Sequence, residues 1–334
     1  MLIRRTALWG LAGAAAALAL CTSSVARAQD FPVKPITLLV AFPAGGAGDA
    51  VMRAMAEVAG RKLGQPVVVD NRVGASGTLA PATMAATAKP DGYTISQTVL
   101  PLVRVALMQK VTYDPAKDFT YIANLTAYTF GIVAKADGPF KTWADVAKYA
   151  RENPGKVTYA SPGVGTSLHV GMEELSAREQ IKLTHVPMKG AGESSAAVLG
   201  DHVMLQVDAT NWRPLVEAGK LRPLMVWGQT RLKSLPDVPT LSELVPAIKA
   251  GGEIPAMFES PFGISGPKGM PAPVVKKLQD AFEAATKDEN VLATFAKYDM
   301  TAKFMASEQY TKFMLDAIEG EKKTLERVGL ARKE

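Results

Sequence analysis

The chain has 334 residues, with 38 lysines and arginines against 32 aspartates and glutamates, a formal net charge of +6. So slight an excess, scattered along the sequence, excludes a polyanion partner such as nucleic acid. The single cysteine, Cys21, lies in an N-terminal apolar run, so the chain beyond it can build neither a disulfide nor a cysteine-ligated metal centre.

Residues 1–28 have the layout of a secretory signal: basic Arg4 and Arg5, an apolar run from Ala7 to Cys21, and Ala26-Arg27-Ala28 as a cleavage site. The run is about 15 residues, short of the roughly 20 that span a bilayer. A periplasmic product beginning near Gln29 is expected. A lipidated Cys21 is disfavoured by the bulky Leu20 before it, and the arginine pair also admits twin-arginine export.

Ile36 to Phe42 is a short apolar run of the kind buried on both faces of a parallel sheet. A Gly-rich loop, Pro43 to Gly48, follows, and Asp49 is placed to cap a helix with Val51, Met52, Met55, Val58 and Ala59 on its apolar face. Val67 to Val69 supplies the next strand. The layout recurs in mid-chain: a helix from Trp143 to Arg151, a strand from Val157 to Ala160, a second Gly-rich loop from Ser161 to Ser167, and a helix near His169. Strands near Leu183–Val186, Val203–Val207 and Leu221–Trp227 alternate with helices around Ser194–Leu199 and Leu215. After a Pro/Gly-rich stretch through Pro273, two amphipathic helices close the chain. The pattern predicts α/β architecture in two lobes, residues 29–127 with 232–334 and residues 128–231, each a mostly parallel sheet flanked by helices.

Catalytic signatures are missing. The three histidines, His169, His185 and His202, show no metal-ligand spacing. Gly74-Ala75-Ser76-Gly77 lacks the spacing of a nucleophile elbow, and neither G-x-G segment has the third glycine of a dinucleotide site. No enzyme activity, cofactor or metal is expected; a hydrolase would rest only on the loops holding Ser76 and Ser161. The positive signal is the pair of Gly-rich loops, each following a strand and opening a helix. Free N–H groups and the positive end of a helix dipole collect there and suit an anion, although tight turns alone would also use glycine. A branched side chain at Gly46 or Gly165 is expected to obstruct such a site.

Phe31-Pro32-Val33-Lys34-Pro35-Ile36, Phe42-Pro43-Ala44-Gly45-Gly46, Gly64 to Arg72, Pro90-Asp91-Gly92-Tyr93-Thr94, Tyr113 to Phe119, Ser161 to His169, Val186-Pro187, Lys189-Gly190, Ala218 to Arg222 and Leu235 to Thr240 follow one another in family order. With these the chain resembles the Bug family, the TctC-type receptors of tripartite tricarboxylate transport. The resemblance implies a two-lobed, type II-like Venus flytrap that closes on a small carboxylate. The implied ligand-binding residues are Phe42, Ala44, Gly45, Gly46, Ala47, Gly48 and Asp49 in one lobe, and Ser161, Gly163, Val164, Gly165, Thr166 and Ser167 in the other. Asp208 is the ionisable residue the resemblance puts nearby, as a ligand group, or as a residue that caps the helix holding Trp212 or satisfies backbone N–H groups. His169 is expected within its helix, and Phe42, Phe258 and Phe262 are divided between cleft and core. Where Gly48 stands, family members carry a hydroxyl residue; Met188 replaces a tyrosine, and Val207-Asp208-Ala209 a more polar triplet. These departures imply a carboxylate with an apolar or aromatic body. The implied partners are the large and small integral membrane subunits of a transporter, or alternatively a membrane sensor kinase to which the solute is presented; a monomer is expected.

Overall fold

In the computed structural model, residues 31–228, 230–245, 258 and 260–332 are described; the signal segment and part of the Pro/Gly-rich stretch lie outside them. Two sheets organise the molecule. The first contains β1 (Ile36–Val40), β2 (Val67–Asn71), β3 (Thr94–Val99), β4 (Phe119–Tyr128), β10 (Ser260–Pro267) and β11 (Thr301–Met305), in the order β11-β4-β10-β3-β1-β2. The second contains β5 (Phe130–Lys135), β6 (Val157–Ser161), β7 (Leu183–Pro187), β8 (Leu205–Ala209) and β9 (Leu221–Val226), in the order β7-β6-β8-β5-β9.

Parallel pairing joins β1 to β2 and β3, and β6 to β7 and β8. Each sheet is nevertheless mixed, because β10 runs antiparallel between β3 and β4 and β5 runs antiparallel between β8 and β9. Only Thr129 separates β4 in the first sheet from β5 in the second. The strand expected over Val203–Val207 lies two residues later, at Leu205–Ala209, since Val203 and Met204 turn out of the preceding helix.

Helices cover the sheets. The two that matter for function follow the Gly-rich loops: α1 (Ala47–Leu63) after β1 and α5 (Ser167–Glu179) after β6. Between them in chain order come α2 (Leu79–Thr87), α3 (Pro101–Met108) and α4 (Trp143–Glu152). The apolar face of α1 puts Val51, Met52, Met55 and Ala59 entirely out of solvent, and burying side chains of this size contributes about 1.5–3 kcal/mol each. That packing fixes the helix axis, and with it the direction of the first-turn N–H groups.

Candidate functional site

Both Gly-rich loops end on a cavity of about 540 Å³ lying between the two sheets. In the first loop the chain turns at Gly45, whose φ of 85° is left-handed. Helix α1 then starts at Ala47, two residues before Asp49, and its N-cap Gly46 offers no side chain. Asp49 therefore does not cap the helix. Its carboxylate turns back, accepting the Gly45 N–H at 2.9 Å, Arg53 Nε at 3.0 Å and Asn71 Nδ2 at 2.8 Å. Burial alone would raise this carboxyl, but Arg53, Asn71 and the Gly45 N–H outweigh it and hold it below its ordinary value. Asp49 is a brace beneath the loop and does not line the cavity.

The second loop is braced without charge. Ser161 Oγ and His185 Nε2 are 2.7 Å apart, and the His185 ring stacks on His169 with centroids 4.3 Å apart. His169 Nδ1 accepts the Gly165 N–H at 3.2 Å, while the N-cap Thr166 accepts the His169 N–H through Oγ1. Burial, then nearby Arg104, pushes His169 down to about 4; burial, then His169, pushes His185 down to about 3. Both rings are neutral near pH 7. Ser161 and His185 have the contact of a nucleophile and base, yet neither lines this cavity or its smaller neighbour. Ser76 lines only the smaller neighbouring cavity, of about 370 Å³, and no histidine bonds to it.

What remains after this bracing is a set of donors. The backbone N–H groups of Ala47 and Gly48 at the start of α1, and of Ser167 and Leu168 at the start of α5, have no intrahelical acceptor, and all four residues line the cavity. Ser167 adds a hydroxyl. The fully buried Arg104 of α3 forks onto Glu321 at 2.8 and 2.7 Å and donates through NH1 to Ser167 Oγ at 2.6 Å. The Ser167 oxygen is thus an acceptor to a cation, and its own hydrogen is left for another partner.

Asp208, at the end of β8, also lines the cavity. Its Oδ1 accepts the N–H of the following Ala209 at 2.8 Å, whereas Oδ2 has no hydrogen-bond partner and the residue is 4% exposed. Burial, only partly offset by the Ala209 N–H and the Gln206 side chain, pushes the carboxyl up to about 7. Asp208 does not cap the helix holding Trp212 but does satisfy the Ala209 backbone N–H, the other alternative expected of it, and the indole N–H of Trp212 goes to the Asp208 backbone carbonyl. Val99, Pro101, Phe130, Leu168 and Leu215 make the walls apolar.

Of the residues expected at a ligand site, Phe42, Ala44, Gly45, Gly46, Ala47, Gly48, Thr166, Ser167 and Asp208 line the main cavity. Gly163 and Val164 line the smaller one together with Met188, which therefore does not shape the main pocket. Ser161 and Gly165 line neither, because one turns its hydroxyl and the other its N–H toward the buried histidines. Gly46 has an ordinary φ of −75°, and an added Cβ there would meet only the Pro43 carbonyl at 3.5 Å, so it has no conformational need for glycine. Phe258 and Phe262 are core. Sequence reasoning missed Tyr128, Phe130 and the Gly190–Glu193 segment, as well as Lys189, which is the only lysine or arginine among the described lining residues. Lys189 and Gly190 had been picked out only as part of the resemblance.

The lobes touch across the cleft: a Cβ at Gly163 would lie 2.6 Å from Ser76 Oγ, and one at Gly190 3.0 Å from Pro43 Cγ. Two mixed α/β sheets, a single-residue strand crossing and a cavity between them define a two-lobed periplasmic binding protein. Residues 51–330 match the family model of the tripartite tricarboxylate transporter family receptor, and the chain belongs to that family. It is 44% identical over 324 residues to the Cupriavidus necator "UPF0065 protein in gbd 5'region", covering 97% of this chain and 96% of the other. MatC from Rhodopseudomonas palustris, solved with bound malate, superposes with a TM-score of 0.78 at 27% identity, over 88% of this chain and all of MatC (100%). R. palustris Rpa4515, solved with adipate, superposes with a TM-score of 0.82 at 26% identity, over 91% of this chain and 100% of the other.

Proposed function

We propose that the chain is exported, cleaved near Ala28, and captures a small carboxylate for a transporter of one large and one small integral membrane subunit, without transforming it. The observation that carries this reading is the convergence of first-turn N–H groups from α1 and α5, one helix per sheet, on a single cavity. An ionised carboxylate accepts several such donors at once, and charge-assisted bonds are roughly twice as strong as neutral ones. The volume suits one small organic acid. Apolar walls favour an acid with an apolar or aromatic body, and the malate and adipate held by the two R. palustris relatives support a carboxylate as the common element.

Asp208 then reads a second group of the solute. As the neutral acid it accepts an apolar or protonated neighbour; as the anion it calls for an ammonium or hydroxyl donor. The test is calorimetry with malate, adipate, benzoate and phenylacetate, each beside its methyl ester. The ester should bind at least about tenfold more weakly, since hydrogen bonds to a charged group contribute about 1.5–3 kcal/mol. Acids lacking a donor should weaken as pH rises through about 7, where Asp208 ionises, and Asp208→Asn should remove that dependence. Equal binding of acid and ester would refute the carboxylate reading.

A further inference from the structure

The first turn of α1 contains Gly48, and nothing about its backbone requires glycine; its φ is not in the left-handed region. Space requires it. A Cβ at this position would overlap the hydroxyl of Tyr128 and come within 3.3 Å of Gln97 Nε2. The phenol of Tyr128, the last residue of β4 before the crossing to the second sheet, therefore occupies the volume that a side chain at 48 would otherwise fill, beside the free N–H groups of α1.

The direction of that hydroxyl follows from its neighbours. Gln97 is fully buried, and its Oε1 accepts the Ala41 backbone N–H at 3.1 Å, which can only donate. The amide is thereby oriented with Nε2 toward Tyr128, and it donates to the phenolic oxygen at 3.3 Å. With its oxygen used as acceptor, the phenol must send its hydrogen elsewhere, and none of the described residues accepts it. Tyr128 is half-buried and lines the cavity. Its ring is locked between Phe262, at 4.6 Å, and Phe130, stacked at 5.7 Å, so the hydroxyl is placed without freedom to turn away.

We propose that Tyr128 is a specificity-determining residue that donates its O–H to the anchored carboxylate, delivering from the inter-sheet crossing the side-chain donor that Gly48 cannot provide. Ser167 is built on the same plan in the other lobe, with Arg104 behind its oxygen as Gln97 stands behind that of Tyr128. The two hydroxyls approach the cavity from opposite lobes, so a solute that accepts from both also ties the lobes together.

The proposal rests on the carboxylate reading and is tested by a double-mutant cycle. The variants are Tyr128→Phe, Gly48→Ser and the pair together, measured by calorimetry with the tightest binder among malate, adipate, benzoate and phenylacetate, and by melting temperature without ligand. Tyr128→Phe keeps the ring packing but leaves the buried Gln97 Nε2 without its acceptor, so the unliganded melting temperature should fall by only a few degrees while affinity for the acid falls at least about tenfold. Gly48→Ser alone should lower both, because its Cβ meets the phenol. In the double variant the new serine hydroxyl takes the vacated space, and affinity should return to within about threefold of the parent chain. Parental affinity in Tyr128→Phe, or Gly48→Ser equally damaging with Phe at 128, would overturn the proposal while leaving the acid-versus-ester result intact. Failure of all four acids to bind would instead overturn the carboxylate reading and this assignment with it.

Discussion

The two Gly-rich loops present the same kind of donor but are held by different means. Residues 42–49 are tied by an ionic cluster, Asp49 with Arg53 and Asn71, of which Arg53 is half-exposed. Residues 161–169 are tied by a neutral stack of buried Ser161 and His169 with the partly exposed His185, supported from the other lobe by Arg104. The difference teaches that loop geometry and loop chemistry are separable: one loop is kept in shape by an ionic cluster within its own lobe, the other by neutral rings with a buried arginine of the opposite lobe behind it. Each loop should then fail under its own conditions.

The largest separation should come from valine at the two glycines once expected to be equivalent. Gly165 has a φ of 79° and a Cβ there would meet Val105 and Met108 at 3.1 and 3.2 Å, so Gly165→Val combines a left-handed backbone with overpacking. These cost about 1–2 and 1–3 kcal/mol respectively, and both stability and affinity should drop. Gly46→Val should leave stability within about 1 kcal/mol and act on affinity alone. Denaturant midpoints with calorimetry decide; equal destabilisation by the two would erase the contrast.

Acid should attack the second loop before the first. Both histidines have folded pKa values below their ordinary 6.5, so the unfolded chain takes up protons that the folded chain refuses. Their contribution is intact above about pH 6.5 and is lost as pH falls toward 4 and 3, at roughly 1.4 kcal/mol per pH unit for each ring. Asp49 is lowered from 3.8, so its contribution survives until pH falls below that value. Asp208 works in the opposite sense, its burial penalty growing as pH rises from 3.8 through about 7, so unfolding is best followed in an Asp208→Asn background. A flat stability between pH 6.5 and 4.5 there would refute the neutral-stack account, and His185→Gln should flatten the curve.

The smallest effect belongs to the ionic cluster. Arg53 is 48% exposed, so Arg53→Gln should cost less than about 1 kcal/mol, and less still in high salt. A salt-independent loss would mean that Arg53 holds the loop by packing.

Much of this arrangement was legible in the sequence where a feature is local. The apolar run of β1, the Gly-rich turn and the 3.6-residue stripe of α1 are adjacent in the chain, and so are β6, its loop and α5. Strand β10 was illegible because its prolines and glycines read as loop. It is nonetheless the fully buried partner of β3 and β4, and Gly263 sits where the register shifts and a side chain would strike Ala123. The braces were hidden by distance: Arg104 meets Ser167 from 63 residues away and Glu321 from 217. Tyr128 carries no motif at all, and only the missing side chain at Gly48 hinted that something else stood there.

The last helix, α11 (Ser307–Arg327), reaches further than its own lobe. Its Glu321 holds the arginine that grips Ser167, and its Arg327 donates to the buried Glu174 of α5 at 2.9 Å. A hinge opening that separates α5 from α3 and α11 would break the Arg104–Ser167 and Arg327–Glu174 contacts. These contacts therefore act on residence time more than on capture, since a solute diffusing in does not meet them. Arg327 is half-exposed, and the lifetime of the complex should accordingly shorten as ionic strength rises, giving the receptor a dwell time set by its surroundings as well as by its cargo.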